Sequence, residues 1–287
     1  MISNLQFLLV PFLTCLVMLV ITSYFGIHVL KREIIFIDIA LAQVAALGGV
    51  ALSFLEHKLE GAGPESLLQH QELITTGFSL IFCLLAAFLF TLLKNPKIRV
   101  PVEAFIGITY AFATTAAVIF LDKAAGGDVH IHDMLTGAIL WTTWDSLLNL
   151  SVVVVIVGAT HIIFRKHFIT LTENYQGSPG AIRNSRFWDF LFYFTFGIVI
   201  IEAIKTGGIL TVFAFLILPA SFSSFFSNSW GTRIIIGLAA GLVSVVAGLL
   251  LAMKMDASSS PYIILILSVF LAGGWAARGR LFRHRNA

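Results

Sequence analysis

The chain has 287 residues; 58% are hydrophobic and only 11% are charged, against roughly 25% in an ordinary soluble domain. This composition excludes a water-soluble globular domain. The net charge of +3 sits in short basic clusters between apolar runs, not in the basic, aromatic-interleaved surface that nucleic acid requires.

Nine apolar segments follow in chain order, at about 7–27, 34–55, 73–93, 101–121, 134–163, 188–204, 207–226, 233–253 and 260–276. A run of about 20 apolar residues crosses a bilayer as helix. The first segment lacks a basic leader and is followed by Lys31 and Arg32, so it is expected to remain as a spanning helix and not to be cleaved as a signal peptide. The fifth is too long for one perpendicular helix; it is either tilted or broken near Thr142, Thr143 and Trp144. Gly207 and Gly208 part the sixth and seventh, a natural place for a broken helix or tight turn. Cys15 and Cys83 lie inside apolar runs, which implies core or lipid-facing residues and no disulfide framework. The predicted fold is an all-α integral membrane bundle of about nine transmembrane helices, short or broken near 134–163 and 188–226, in a single domain over 1–287.

Basic residues set the orientation, because cytoplasmic loops carry an excess of Lys and Arg. With the N-terminus outside, fourteen of the eighteen Lys and Arg fall on the inner side. The outer side keeps Lys58, Lys123, Lys205 and Lys254 beside Glu56, Glu60, Glu65, Glu72, Asp122, Asp128, Asp133 and Asp256. The C-terminus is then cytoplasmic. The longest inner connection is 165–186, and an outer loop over 61–71 starts a short helix at Pro64. No phosphate-binding loop, zinc-protease pattern, dinucleotide fingerprint or nucleophile elbow occurs; if the chain pumps, another subunit hydrolyses the ATP.

Several residues stand out. Asp38 is an ionisable group inside a predicted span, which points either to a path-lining carboxylate or to a salt bridge with Lys31 or Arg32. Its helix is rich in small residues, including Ala42 and Ala46, so neighbours must pack closely on it or it must line a path. Gln43 either contacts cargo or hydrogen-bonds a neighbouring helix. His130, His132 and Asp133, with Asp128 nearby, offer nitrogen and oxygen ligands for a divalent cation on the outer side; the alternative is a polar cap on the fifth helix. Glu202 lies three residues before Lys205, spaced for a local ion pair or for a path ligand. His161 and His167 are placed at the cytoplasmic interface. Gly237, Gly241 and Gly248 share a face that allows close helix approach.

Three stretches, in this order, resemble the membrane permeases of ABC-type zinc, manganese and iron importers. They are Phe36 to Leu52, Leu135 to Leu140 with Thr142 to Asp145, and Gly208 to Ala220. The resemblance implies a homodimeric permease in a bacterial inner (plasma) membrane, driven by a cytoplasmic ATPase dimer and fed by an extracytoplasmic solute-binding protein. Its surroundings are lipid, with no nucleic acid. It implies no permanently bound cofactor, a divalent metal cation as cargo and ATP on the partner subunit. The alternatives are a metal chelate or other small solute as cargo, or a secondary transporter driven by a gradient.

The family pattern has an Asp and a His four residues apart in the second helix. Here Ile39 and Gln43 stand at those positions, and the nearest carboxylate is Asp38. Asp145 matches a recurrent family position. The resemblance also places a coupling helix in 165–186. Leu171 and Tyr175 are four apart and form one apolar face there, suited to a groove on the ATPase, with Glu173 between them. Gly177 ends the helix, and Gly180 and Arg183 lead back to the membrane.

Overall fold

A computed structural model describes residues 2–58, 71–94, 100–121, 139–175 and 185–285. The outer loop with Pro64, and His130, His132, Asp133, Asp128, Gly177, Gly180 and Arg183, lie outside the described residues.

Among the described residues the fold is all-α. The helices are α1 (Ile2–Arg32), α2 (Ile37–Lys58), α3 (Gln71–Leu93), α4 (Val102–Leu121), α5 (Trp144–Ile163), α6 (Arg165–Glu173), α7 (Ser185–Ser224), α8 (Trp230–Met255) and α9 (Ser259–Arg285). A single 3-10 turn, Ile139–Trp141, precedes α5. Seven of the helices are long and apolar enough to cross a membrane, and α2 adds a shorter apolar stretch, Ile37–Leu52. Helix is the local solution because lipid offers no partner for the backbone, so each spanning segment must satisfy its own N–H and C=O groups. The nine apolar segments fall on eight helices, since α7 carries both the sixth and the seventh.

The two expected breaks are both present. The fifth segment is interrupted at Thr142 and Thr143. Thr143 is extended and its hydroxyl accepts a hydrogen bond from the Ser146 N–H at 3.3 Å, so α5 starts with a side-chain cap. In α7 the chain breaks at Gly208, with φ 74° and ψ 160°, a region that only glycine enters without strain. A continuous helix of 40 residues would be about 60 Å long, twice the hydrocarbon thickness.

The chain interleaves into two compact units: 1–33, 133–165 and 202–287 form one, and 34–132 with 166–201 the other. In the first unit, contacts fix the helix directions. Phe7 meets Trp141 and Tyr24 meets His161, so α1 and α5 run parallel. Gly207 lies against Met18, and Gly26 against Leu216 and Ala220, so the part of α7 after its break also runs with α1. Trp230 lies beside His28 and Gly241 against Leu19, so α8 is antiparallel to them. Gly248 meets Ile263, and Gly274 meets Phe222, which returns α9 to the direction of α1. Arg233 is buried and its Nη2 donates to the Ala220 carbonyl at 3.1 Å, so a cation sits at the C-terminal end of α7, where the helix dipole favours positive charge.

In the second unit α2 packs between α3 and α4. Gly48 lies against Phe78 and Phe82, while Gly197 of α7 lies against Cys83 and Leu41. The first part of α7 therefore runs parallel to α2 and antiparallel to α3. On α3, Ser79, Cys83, Ala86, Ala87 and Phe90 are buried, while Ile81, Leu84, Leu85, Phe88 and Leu92 are exposed. Such an apolar outer face is what lipid contact requires.

Candidate functional site in the second helix

Between Ile37 and Leu52 only Asp38 and Gln43 carry polar side chains. Asp38 lies in the first turn of α2, where a carboxylate opposes the positive end of the helix dipole. It is 1% exposed, and its Oδ1 accepts no hydrogen bond among the described residues. A buried carboxylate oxygen left in this state is costly.

Ile39, Gln43, Ala46 and Val50 recur at four- and three-residue spacing and are half-buried. Asp38, Ala40, Leu41, Ala42, Val44, Ala45 and Leu47 around them are buried. The helix thus keeps one accessible stripe of small or medium side chains, with Gln43 as its polar group. Thr114 Oγ1 of α4 donates to Gln43 Oε1 at 3.4 Å, so the amide oxygen is held by a neighbouring helix. Asp38 and Ala42 lie off the stripe, because five residues turn Asp38 about 140° away from Gln43.

The other path candidates belong to the first unit. Glu202 Oε1 meets Lys205 Nζ at 3.0 Å, an i,i+3 pair on the helix surface. Asp145 is exposed in the first turn of α5, at a helix start that favours a negative charge.

On α6, Phe168 and Leu171 are buried and the Tyr175 hydroxyl pairs with that of Tyr193 at 2.8 Å. Leu171 and Tyr175 therefore turn inward. The side chains left facing out are Arg165, Lys166, His167, Thr170 and Glu173. His161 corrects the interfacial expectation: it is 3% exposed, and its Nδ1 pairs with the Tyr24 hydroxyl at 3.0 Å. His167 is exposed but stacks on Trp188 at 4.2 Å. Thr114, Lys94 and Asp189 were not singled out in the sequence; nothing in their local pattern marks them.

An all-helical bundle with one small-residue helix enclosed by others, a half-open polar stripe on it and no nucleotide-binding motif is the architecture of a membrane permease. Residues 4–277 match the ABC 3 transport family, and the chain belongs to it. As such it is the permease subunit of an ATP-driven transporter, and its own sequence carries no ATPase motif.

Over 195 residues, 67% of this chain and 69% of the relative, it is 25% identical to the manganese transport system membrane protein MntC of Listeria innocua. Over 265 residues, 92% and 88% of the two chains, it is 21% identical to the manganese import system permease protein ScaB of Streptococcus parasanguinis. The fold is similar to that of PsaBC from Streptococcus pneumoniae, solved in complex with a Fab. There the TM-score is 0.72 at 22% identity, over 96% of this chain and 94% of that one.

Proposed function

We propose that the chain is the transmembrane subunit of an ABC importer that carries a divalent transition-metal cation, manganese foremost, across the bacterial inner membrane. Membership of the ABC 3 family supports the transport role, and the manganese systems to which MntC and ScaB belong support the cargo. One observation in this chain supports a hard cation. The polar groups of Ile37–Leu52 are a carboxylate and an amide, with no imidazole or thiolate. Oxygen ligands suit Mn²⁺, whereas Zn²⁺ favours nitrogen and sulfur. Gln43 and Ala46 line the path, and Asp38 contributes negative charge beside it.

Proteoliposomes holding the full complex are expected to accumulate radiolabelled Mn²⁺ only with ATP, and in preference to Zn²⁺ and Fe²⁺. A preference for Zn²⁺ would overturn the choice of metal. Absence of ATP-dependent uptake of all three would overturn the role itself.

Two permease copies, two ATPase subunits and an extracytoplasmic binding protein complete the assembly. His130, His132, Asp133 and Asp128 receive the cation on the outer side, as their ligand chemistry suits. The exposed polar face of α6 meets the ATPase.

The N-terminus is outside and the C-terminus cytoplasmic. The opposed directions of α2 and α3, and of α8 against α1, α5 and α9, support alternating spans, and the Lys and Arg bias supports their sense. Reporter fusions after Gln71 and after Arg285 are expected to report opposite sides of the membrane; the same side for both would refute the nine-span arrangement.

A further inference from the structure

We propose that Lys94, Asp189, Tyr175 and Tyr193 form a latch that ties the end of α6 to α3 and α7, so that force applied to α6 reaches both. This rests on the reading of α6 as the contact with the ATPase. The four are positioning residues and touch no cargo.

Lys94 directly follows α3, and its N–H bonds the Phe90 carbonyl at 3.2 Å. Its Nζ lies 2.7 Å from Asp189 Oδ2, near the start of α7. The same ammonium sits 3.8 Å from the centroid of the Tyr175 ring, just beyond α6. The Tyr175 hydroxyl pairs with that of Tyr193, which is fully buried and packs edge-on against Phe90 of α3. Three chain segments thus converge on one cation.

Burial separates this pair from an ordinary surface ion pair, which contributes little. The Asp189 side chain is 3% exposed and that of Lys94 25%. Losing the ammonium weakens the compensation of a carboxylate that is almost fully buried, and partial desolvation strengthens the cation–aromatic contact.

The other end of α6 is held as well. His167 stacks on Trp188 within 17° of parallel, and Phe168 meets the same ring edge-on. A helix of nine residues is too short to be stable alone in water, so these two attachments set its place on α7. Arg165, Lys166, Thr170 and Glu173 remain outward. A displacement of that outer face passes through both attachments and is not absorbed by a slack loop.

The test uses the complete transporter in liposomes, with Mn²⁺ uptake and ATP hydrolysis measured on the same sample. Tyr175→Leu removes ring and hydroxyl; Tyr175→Phe keeps the ring beside Lys94 and loses only the bond to Tyr193. Tyr175→Leu is expected to lower the ions moved per ATP about five-fold while the ATPase still co-purifies. Tyr175→Phe is expected to lower the ratio only about two-fold. An unchanged ratio in both variants, or uptake and hydrolysis falling in step with the amount of assembled complex, would overturn the latch. Failure of the unmodified complex to couple uptake to ATP would instead overturn the transport reading on which the latch rests.

Discussion

Asp38→Asn is expected to cut uptake by about ten- to a hundred-fold, the range of a lost interaction with a charged buried group, while the complex still assembles. Asparagine keeps the shape of the side chain and one acceptor oxygen for the first turn of α2, while the charge is lost and an N–H donor replaces the second oxygen. Asp38 is 1% exposed in the first turn of the apolar helix α2, and its Oδ1 accepts no hydrogen bond among the described residues. A buried carboxylate in such a setting is costly, and the proposed path role would have a passing cation relieve that cost. Uptake and assembled complex are to be measured together in vesicles. Uptake equal to that of the unmodified chain would assign Asp38 to helix capping alone. Gln43→Leu is the companion measurement, since it removes the amide oxygen from the accessible stripe.

Gly26→Val is expected to destabilise the permease by about 3 kcal/mol or more, the upper range for overpacking. A Cβ at Gly26 runs into the carbonyl oxygen of Leu216 and the methyl group of Ala220. The first of these is backbone and has no rotamer through which to move aside. Close approach at small residues is what holds helices together in lipid, so the cost falls on the pairing of α1 with α7. A lower Tm for the purified permease in detergent, with less protein in the membrane, is the expected reading. Gly158→Ala is the control: a Cβ there meets nothing within 4 Å, and its Tm should equal or slightly exceed that of the parent, since alanine favours a helix interior over glycine. Equal Tm values for Gly26→Val and the parent would remove this contact from the packing account.

The spans were legible because lipid demands about 20 apolar residues per crossing and offers backbone groups no partner. Both breaks were legible for local reasons: threonines that cap a helix start, and a glycine pair that admits a positive φ. What the sequence withheld was pairing across distance. Lys94 reads locally as one more cytoplasmic cation, yet its partner Asp189 lies 95 residues on. His161 reads as interfacial because Arg165 follows, yet Tyr24 of α1 reaches it and holds it inside the bundle. Periodicity placed Leu171 and Tyr175 on one apolar face, which reads as suited to a groove on the ATPase, yet the Tyr175 hydroxyl pairs with Tyr193 of the permease's own α7. The Asp and His of the family pattern fall on Ile39 and Gln43, which do share the half-buried stripe. Asp38 and Ala42, named with them from the sequence, are buried off that stripe.

The capped start of α5 also acts as a ruler. Trp141 and Trp144 at that end are 76% and 54% exposed, and tryptophan settles at the boundary between headgroups and acyl chains. From Trp144 to Ile163 the helix has 20 residues, about 30 Å of rise, which equals the thickness of an average hydrocarbon core. Arg165 and Lys166 come immediately afterwards, at the level of the opposite headgroups. With aromatic rings fixing one end and cations the other, α5 has no spare length. A thicker membrane must thin around it and a thinner one must tilt it, so lipid chain length bears directly on how this protein sits in its membrane.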